Sequence, residues 1–122
     1  MKVVSIFENQ TIEKRIAITP EIAKKYISLG FDVFLSENYG NHLGIKDEEY
    51  KQLGVTISKD EKKIINSADI IVQLGLLDDD KLSLLKENQT FIGVLNTYDN
   101  KEKINDLVKK KVNTFYLNYF QE

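Results

Sequence analysis

Arg15 is the residue of this chain best suited to bind an anionic ligand. It lies just ahead of a helix start at Thr19 and Pro20, where a loop brings its side chain to a predicted sheet edge. A guanidinium group can hold a carboxylate through two parallel hydrogen bonds. An ion pair with Glu8 or Glu13 that fixes the loop is an equally good interpretation. Arg15 is therefore predicted to bind either an anionic ligand or a structural partner.

Two other features suggest chemistry but favour structural roles. His42 is the only histidine and lies in a turn-rich loop without a second ligand or an orienting partner nearby. The run Asp78-Asp79-Asp80 could attract a cation, but consecutive residues at a helix start point in different directions and serve better as caps. We therefore predict neither a metal site nor a catalytic residue in this chain.

Several functional classes are excluded by motifs that the sequence lacks. No strand is followed by G-x-G-x-x-G and no Walker-type lysine motif is present, so a pyrophosphate has no binding loop. There is no cysteine, which excludes thiolate chemistry and disulfides. The formal net charge of -2 disfavours nucleic-acid and anionic-lipid partners, and no segment reaches the ~20 apolar residues of a membrane span. These features predict a cytoplasmic chain without nucleic-acid partners or direct membrane insertion.

Strand-like and helix-like segments alternate along the 122 residues. Predicted strands cover 3–7, 31–35, 55–57, 68–74, 90–95 and 112–117, and predicted helices cover 20–29, 48–53, a segment opened by Ser58 or Asp60, 78–85 and 101–110. Asp47 is predicted to cap the second helix, and Leu29 and Val108 are predicted to face inward. Such alternation is typical of a mostly parallel sheet with helices on both faces. We predict one three-layer α/β domain over 1–122, Rossmann/flavodoxin-like but without a dinucleotide fingerprint.

The chain resembles a known family over almost all of its 122 residues. The matching segments are Glu8, Arg15-Ile16-Ala17-Ile18-Thr19-Pro20, Leu29-Gly30-Phe31-Asp32-Val33, Gly54-Val55, Ser67-Ala68-Asp69-Ile70-Ile71 and Lys111-Val112-Asn113. They resemble the N-terminal domain that alanine dehydrogenase shares with the alpha subunit of proton-translocating NAD(P) transhydrogenase. These motifs are spread along the chain, so they identify the domain family better than they identify an activity.

Two positions separate the branches of this family. By resemblance, alanine dehydrogenases carry a substrate-binding lysine and a catalytic histidine where this chain has Gly75 and Asn96. Glycine carries no charge, and a neutral amide does not exchange a proton near neutral pH. The resemblance therefore favours the transhydrogenase branch, with Arg15, Gly75 and Asn96 as the candidate substrate-binding residues. An alanine dehydrogenase fragment is the less favoured alternative.

The resemblance also implies partners that these residues do not include. In the transhydrogenase alpha subunit this domain precedes a Rossmann domain that binds NAD(H). Hydride passes to NADP(H) on a separate domain, at the cytoplasmic face of the inner membrane. We expect these residues alone to be non-catalytic, to bind no cofactor, and to act with the rest of that assembly. A stand-alone module that binds small anions, or that pairs with a transhydrogenase or with itself as a homodimer, is the alternative.

Overall fold

Six parallel strands form one sheet at the centre of the molecule. The computed structural model describes residues 1–7, 16–74, 79–93 and 101–116. The strands are β1 (Lys2–Ser5), β2 (Asp32–Ser36), β3 (Thr56–Ser58), β4 (Ile70–Gln73), β5 (Thr90–Gly93) and β6 (Asn113–Tyr116). Their order across the sheet is β3-β2-β1-β4-β5-β6, and every neighbouring pair is parallel. The predicted α/β fold is confirmed.

Five helices connect the strands and pack on the two faces of the sheet. They are α1 (Pro20–Ser28), α2 (Asp47–Gln52), α3 (Glu61–Ser67), α4 (Asp79–Leu82) and α5 (Lys101–Lys109). Ala23 of α1 and Tyr50 of α2 belong to one buried cluster with Val33 and Leu35 of β2. The buried residues of α3, α4 and α5 belong to the cluster on the opposite face: Ile64, Ile65, Leu82 and Leu107. The three-layer arrangement is confirmed.

The start and end of α1 follow the predicted chemistry. The Thr19 hydroxyl accepts a hydrogen bond from the Ile22 amide at 3.3 Å, and Pro20 occupies the first helical position. Both features satisfy or remove backbone donors that have no partner inside the helix. Gly30 follows the helix with φ of 96°, a conformation that is accessible to glycine without strain. The sequence prediction for this helix was therefore correct at both ends.

Three local predictions were wrong. Asp47 is the first residue of α2 rather than its cap, because its carboxylate accepts from the Asn38 amide at 3.0 and 3.1 Å. Leu29 is 72% exposed, since it ends α1 where the chain turns away from the sheet. Val108 is 59% exposed, because its neighbour Leu107 takes the inward position of α5 and one residue advances a helix by about 100°.

Candidate functional site

The strand order reverses direction between β1 and β4, and this point marks the most suitable binding edge. β1 pairs with β2 on one side and with β4 on the other, and β4 pairs with β5. Open parallel sheets bind ligands outside the carboxyl ends of their strands at such a reversal. We therefore define the carboxyl edge as the ends of β1, β4 and β5 together with the chain that follows each strand.

The predicted site residues all follow strands of the carboxyl edge. Arg15 lies in the connection between β1 and α1, Gly75 lies two residues after β4, and Asn96 lies three residues after β5. All three residues lie outside the described part of the chain. The topology brings their three parent strands side by side, and their role in binding stays a prediction.

A buried polar network occupies the described part of the carboxyl edge. The Gln73 side chain is 1% exposed, and its Oε1 accepts from the Ile6 amide at 2.7 Å and from Ser5 Oγ at 3.0 Å. Its Nε2 donates to the Ile6 carbonyl at 3.0 Å. On the other side of β1, the Phe7 amide donates to Ser36 Oγ at 2.7 Å. These bonds hold the chain leaving β1 between β2 and β4.

Tyr39 extends this network to the start of α1. Its hydroxyl oxygen lies 2.8 Å from Ser5 Oγ and accepts from the amides of Ala17 and Ile18 at 3.2 and 3.1 Å. The side chain is only 1% exposed. Buried backbone N–H groups that lack a partner are costly, so the Tyr39 hydroxyl supplies an acceptor that this part of the chain needs.

Tyr50 supports the same segment from α2. Its hydroxyl donates to the Ile18 carbonyl at 2.8 Å, and its ring meets that of Tyr39 edge to face with centroids 6.0 Å apart. Burial, with a smaller contribution from Tyr39, raises the pKa of Tyr50 well above its ordinary value. The phenol therefore remains protonated and acts as a permanent donor to Ile18.

The chemistry of this network is positional. Its described side chains are hydroxyls and one amide, which neither release nor accept protons near neutral pH. It can orient backbone and hold segments together, but it offers no general acid or base. The described residues of the carboxyl edge therefore support binding and positioning rather than proton transfer.

His42 and the acidic residues form no reactive cluster. His42 is exposed in the 3-10 turn Asn41–Leu43, and its ring meets that of Phe7 edge to face at 6.1 Å. Within the described ranges, no group of three or more His, Cys, Asp or Glu residues is arranged to hold a metal ion. Asp78 lies outside the described part of the chain, while Asp79 begins α4.

A charged cleft lies beside the carboxyl end of β2. Its volume is about 620 Å³, and it is lined by Ser36, Glu37, Lys59, Asp60, Glu61, Lys62 and Lys81. Lys81 Nζ lies 2.7 Å from Glu61 Oε1, and the Asp60 carboxylate accepts from the Lys63 amide as the cap of α3. The lining carries both signs of charge, so it selects neither anions nor cations.

Sequence reasoning missed the residues of the buried network. Ser5, Tyr39 and Gln73 were not among the predicted site residues, although Gln73 stands out as a polar residue at the end of an apolar strand. A buried polar side chain requires hydrogen-bond partners. That signal points to Gln73, but only the fold shows that its partners lie on β1.

Comparison with known proteins gives consistent similarities. Residues 6–122 match the family model "Alanine dehydrogenase/PNT, N-terminal domain". The chain is 37% identical to an NAD(P) transhydrogenase subunit alpha polypeptide of Rickettsia prowazekii, over 98% of this chain and 32% of that protein. It spans about a third of the length of the curated relatives it matches.

Solved structures resemble the described fold closely. The transhydrogenase of Sinorhizobium meliloti superposes with a TM-score of 0.82 at 26% identity, covering 93% of this chain and 34% of that chain. An L-alanine dehydrogenase superposes with a TM-score of 0.83 at 19% identity, covering 93% and 31%. The second similarity shows a shared fold alone. Within the described residues, no helix is both long and apolar enough to cross a membrane.

Proposed function

Because this chain belongs to the alanine dehydrogenase/PNT N-terminal domain family, we propose that it is the N-terminal domain of an NAD(P) transhydrogenase alpha subunit. The observation that carries this proposal is the 37% identity to such a subunit over 98% of the chain. The whole assembly would transfer hydride between NAD(H) and NADP(H), coupled to proton translocation. The partners of this chain would be the rest of the alpha subunit and the membrane and NADP-binding portions, with the domain on the cytoplasmic face.

The proposed task of this domain is to position, and the chemistry belongs to other parts of the assembly. Its buried network at the carboxyl edge consists of hydroxyl and amide groups with Ser5, Tyr39 and Gln73 at its centre. Such groups hold a surface in one shape without exchanging protons. At the positions of the alanine dehydrogenase lysine and histidine, Gly75 and Asn96 likewise offer no acid or base. NAD(H) and NADP(H) are proposed to bind outside these 122 residues.

The test is hydride transfer by the assembled protein. The full reading frame that contains this chain would be co-expressed with the membrane and NADP-binding portions, and hydride transfer from NADPH to an NAD⁺ analogue would be measured. We expect activity that disappears when residues 1–122 are deleted, and no reduction of NAD⁺ by alanine. Alanine-dependent NADH formation, or full hydride transfer without this domain, would contradict the proposal. Micromolar NAD(H) binding by these residues alone would also contradict the assigned division of labour.

Binding of a small anion at the carboxyl edge is a second candidate function. It is favoured by the adjacency of β1, β4 and β5, which are the strands that lead to Arg15, Gly75 and Asn96. Calorimetric titration with keto acids, amino acids and nucleotides would detect such a ligand. Arg15→Ala should abolish the binding heat, while Lys14→Ala removes an equal charge from the neighbouring residue and should preserve it. Equal affinity in the Arg15→Ala variant would exclude a carboxylate clamp at Arg15.

A further inference from the structure

One hydroxyl oxygen contacts the chain on both sides of segment 8–15. Ser5 precedes this segment and lies 2.8 Å from the Tyr39 oxygen, while Ala17 and Ile18 follow it and donate to the same oxygen at 3.2 and 3.1 Å. Tyr39 itself belongs to a third element, the connection between β2 and α2. The end of β1 and the entry to α1 are thus fixed to each other through a single buried atom.

The geometry determines which way each hydroxyl proton points. A phenol oxygen that accepts from two backbone amides has only its O–H left to offer, so Tyr39 donates to Ser5 Oγ. Ser5 then donates to Gln73 Oε1 at 3.0 Å. Gln73 completes the series by accepting from the Ile6 amide and donating to the Ile6 carbonyl. The hydrogen bonds therefore run in one direction, from the entry of α1 through β1 to β4.

We propose that Tyr39 is a positioning residue of the carboxyl edge: its hydroxyl sets where the chain between β1 and α1 begins and ends. Phenylalanine at this position would keep the ring and its packing on Tyr50, 6.0 Å away. It would leave the amides of Ala17 and Ile18 without this acceptor and Ser5 without this donor. The proposal deepens the proposed function and rests on it only in treating the β1–α1 connection as part of the functional edge.

The experiment uses the full chain with a single spin label. Because the 122 residues contain no cysteine, Thr11→Cys creates a unique attachment point among them, and any cysteine elsewhere in the full chain is first replaced. Tyr39→Phe is then compared with the unmodified background by electron paramagnetic resonance and by amide hydrogen exchange at Ala17 and Ile18. We expect a changed label spectrum and exchange at least about tenfold faster at these two amides, since each loses a buried acceptor.

Matched variants at Ile65 separate positioning from simple destabilisation. Ile65 is fully buried in the cluster on the other face of the sheet, so Ile65→Val and Ile65→Ala provide a graded series of destabilised proteins. At the same free energy of unfolding, these variants should leave the label spectrum unchanged. An unchanged spectrum in folded Tyr39→Phe, or the same spectral change in the Ile65 variants, overturns the proposal.

A second variant keeps the proposal testable where Tyr39→Phe does not fold. Ser5→Ala removes the acceptor of the Tyr39 proton but leaves both amide bonds to the Tyr39 oxygen in place. The label spectrum should change in the same direction and by less. No change in Ser5→Ala would overturn the proposed transmission from β1. The label is read without nucleotides, so its outcome is independent of whether the assembled protein transfers hydride.

Discussion

Two buried glutamines at opposite edges of the sheet use the same amide group for different purposes. Gln89 lies just before β5 at the amino edge, where its Nε2 donates to the carbonyls of Ile65 and Ala68 at 2.8 and 2.9 Å. Its Oε1 accepts from the Lys86 amide at 2.8 Å. Gln73 lies at the carboxyl end of β4 and bonds Ile6 together with the Ser5 side chain.

The difference lies in what the partners do next. All three of the Gln89 bonds end on backbone atoms around the end of α3 and the turn before β5, so Gln89 closes local structure. The bonds of Gln73 continue through Ser5 to Tyr39 and from there to the entry of α1. The amino edge is therefore fastened locally, whereas the carboxyl edge is fastened as one connected unit. Function follows the connected edge, because a binding surface needs several segments held together.

Replacing each glutamine by leucine should give the largest effect and a clear ranking. Gln73→Leu leaves both polar groups of the buried Ile6 backbone without their partner, and each unsatisfied group costs about 1–3 kcal/mol. We expect a loss of roughly 3 kcal/mol or more in the free energy of unfolding by urea. Gln89→Leu should lose less, about 2 kcal/mol, because the carbonyls at a helix end are more easily reached by water. An equal or reversed ranking would remove the distinction between the edges.

Alkaline pH should weaken the carboxyl edge through Tyr50. Its pKa is raised in the folded state, mainly by burial, so the unfolded chain loses the phenol proton first. The contribution of Tyr50 is fully present below the unfolded pKa near 10 and is lost as pH rises towards the folded pKa. Stability should fall by about 1.4 kcal/mol per pH unit above pH 10. The measurement is urea unfolding at pH 9, 10 and 11.

Tyr50→Phe provides the control for this pH dependence. It removes the titrating group, while the lysines and other tyrosines remain in both proteins. The difference in unfolding free energy between the two proteins should therefore shrink as pH rises above 10. A difference that stays constant from pH 9 to 11 would show that the Tyr50 phenol is not held protonated by the fold.

The sequence predicted the framework of the carboxyl edge better than its contents. Alternating segments and the Thr19-Pro20 helix start were enough to predict a parallel sheet, because periodicity and caps are local signals. Gln73 and Tyr39 were not identified, because their bonds join residues 67 and 22 positions apart in the chain. Such pairings depend on strand order, which no local pattern encodes. Leu29 and Val108 were misplaced for a related reason, since apolar character alone does not state which way a residue faces.

A backbone change at the amino edge should stabilise the protein and leave the carboxyl edge unaffected. Lys111 has φ of 64° in the turn between α5 and β6, a left-handed conformation that favours glycine. Lys111→Gly should therefore raise the free energy of unfolding by roughly 0.5–1 kcal/mol. Amide exchange at Ala17 and Ile18, measured below the global unfolding limit, should not change. A change there would mean that the two edges are coupled.

The smallest effect is expected at the charged cleft, although it contains an ion pair as short as any bond of the buried network. Lys81 Nζ and Glu61 Oε1 are 2.7 Å apart, with 19% and 29% of their side chains exposed. Water can solvate both groups once the pair is broken, whereas the Ile6 backbone has no such replacement. Glu61→Gln should therefore cost less than about 1 kcal/mol. The cost should shrink further in 0.5 M salt, as screening at roughly that concentration shortens the reach of exposed charges.

A matched variant shows whether that small cost belongs to the pair. Glu87→Gln removes an equal charge from the more exposed contact of Glu87 with Lys111, where the charged atoms are 3.9 Å apart. It should have even less effect on urea unfolding. A loss at Glu61 as large as that of Gln73→Leu would mean that the cleft, too, is a connected unit. Partner removal is costly where burial denies water to the remaining group, and that condition separates the carboxyl edge from the cleft beside it.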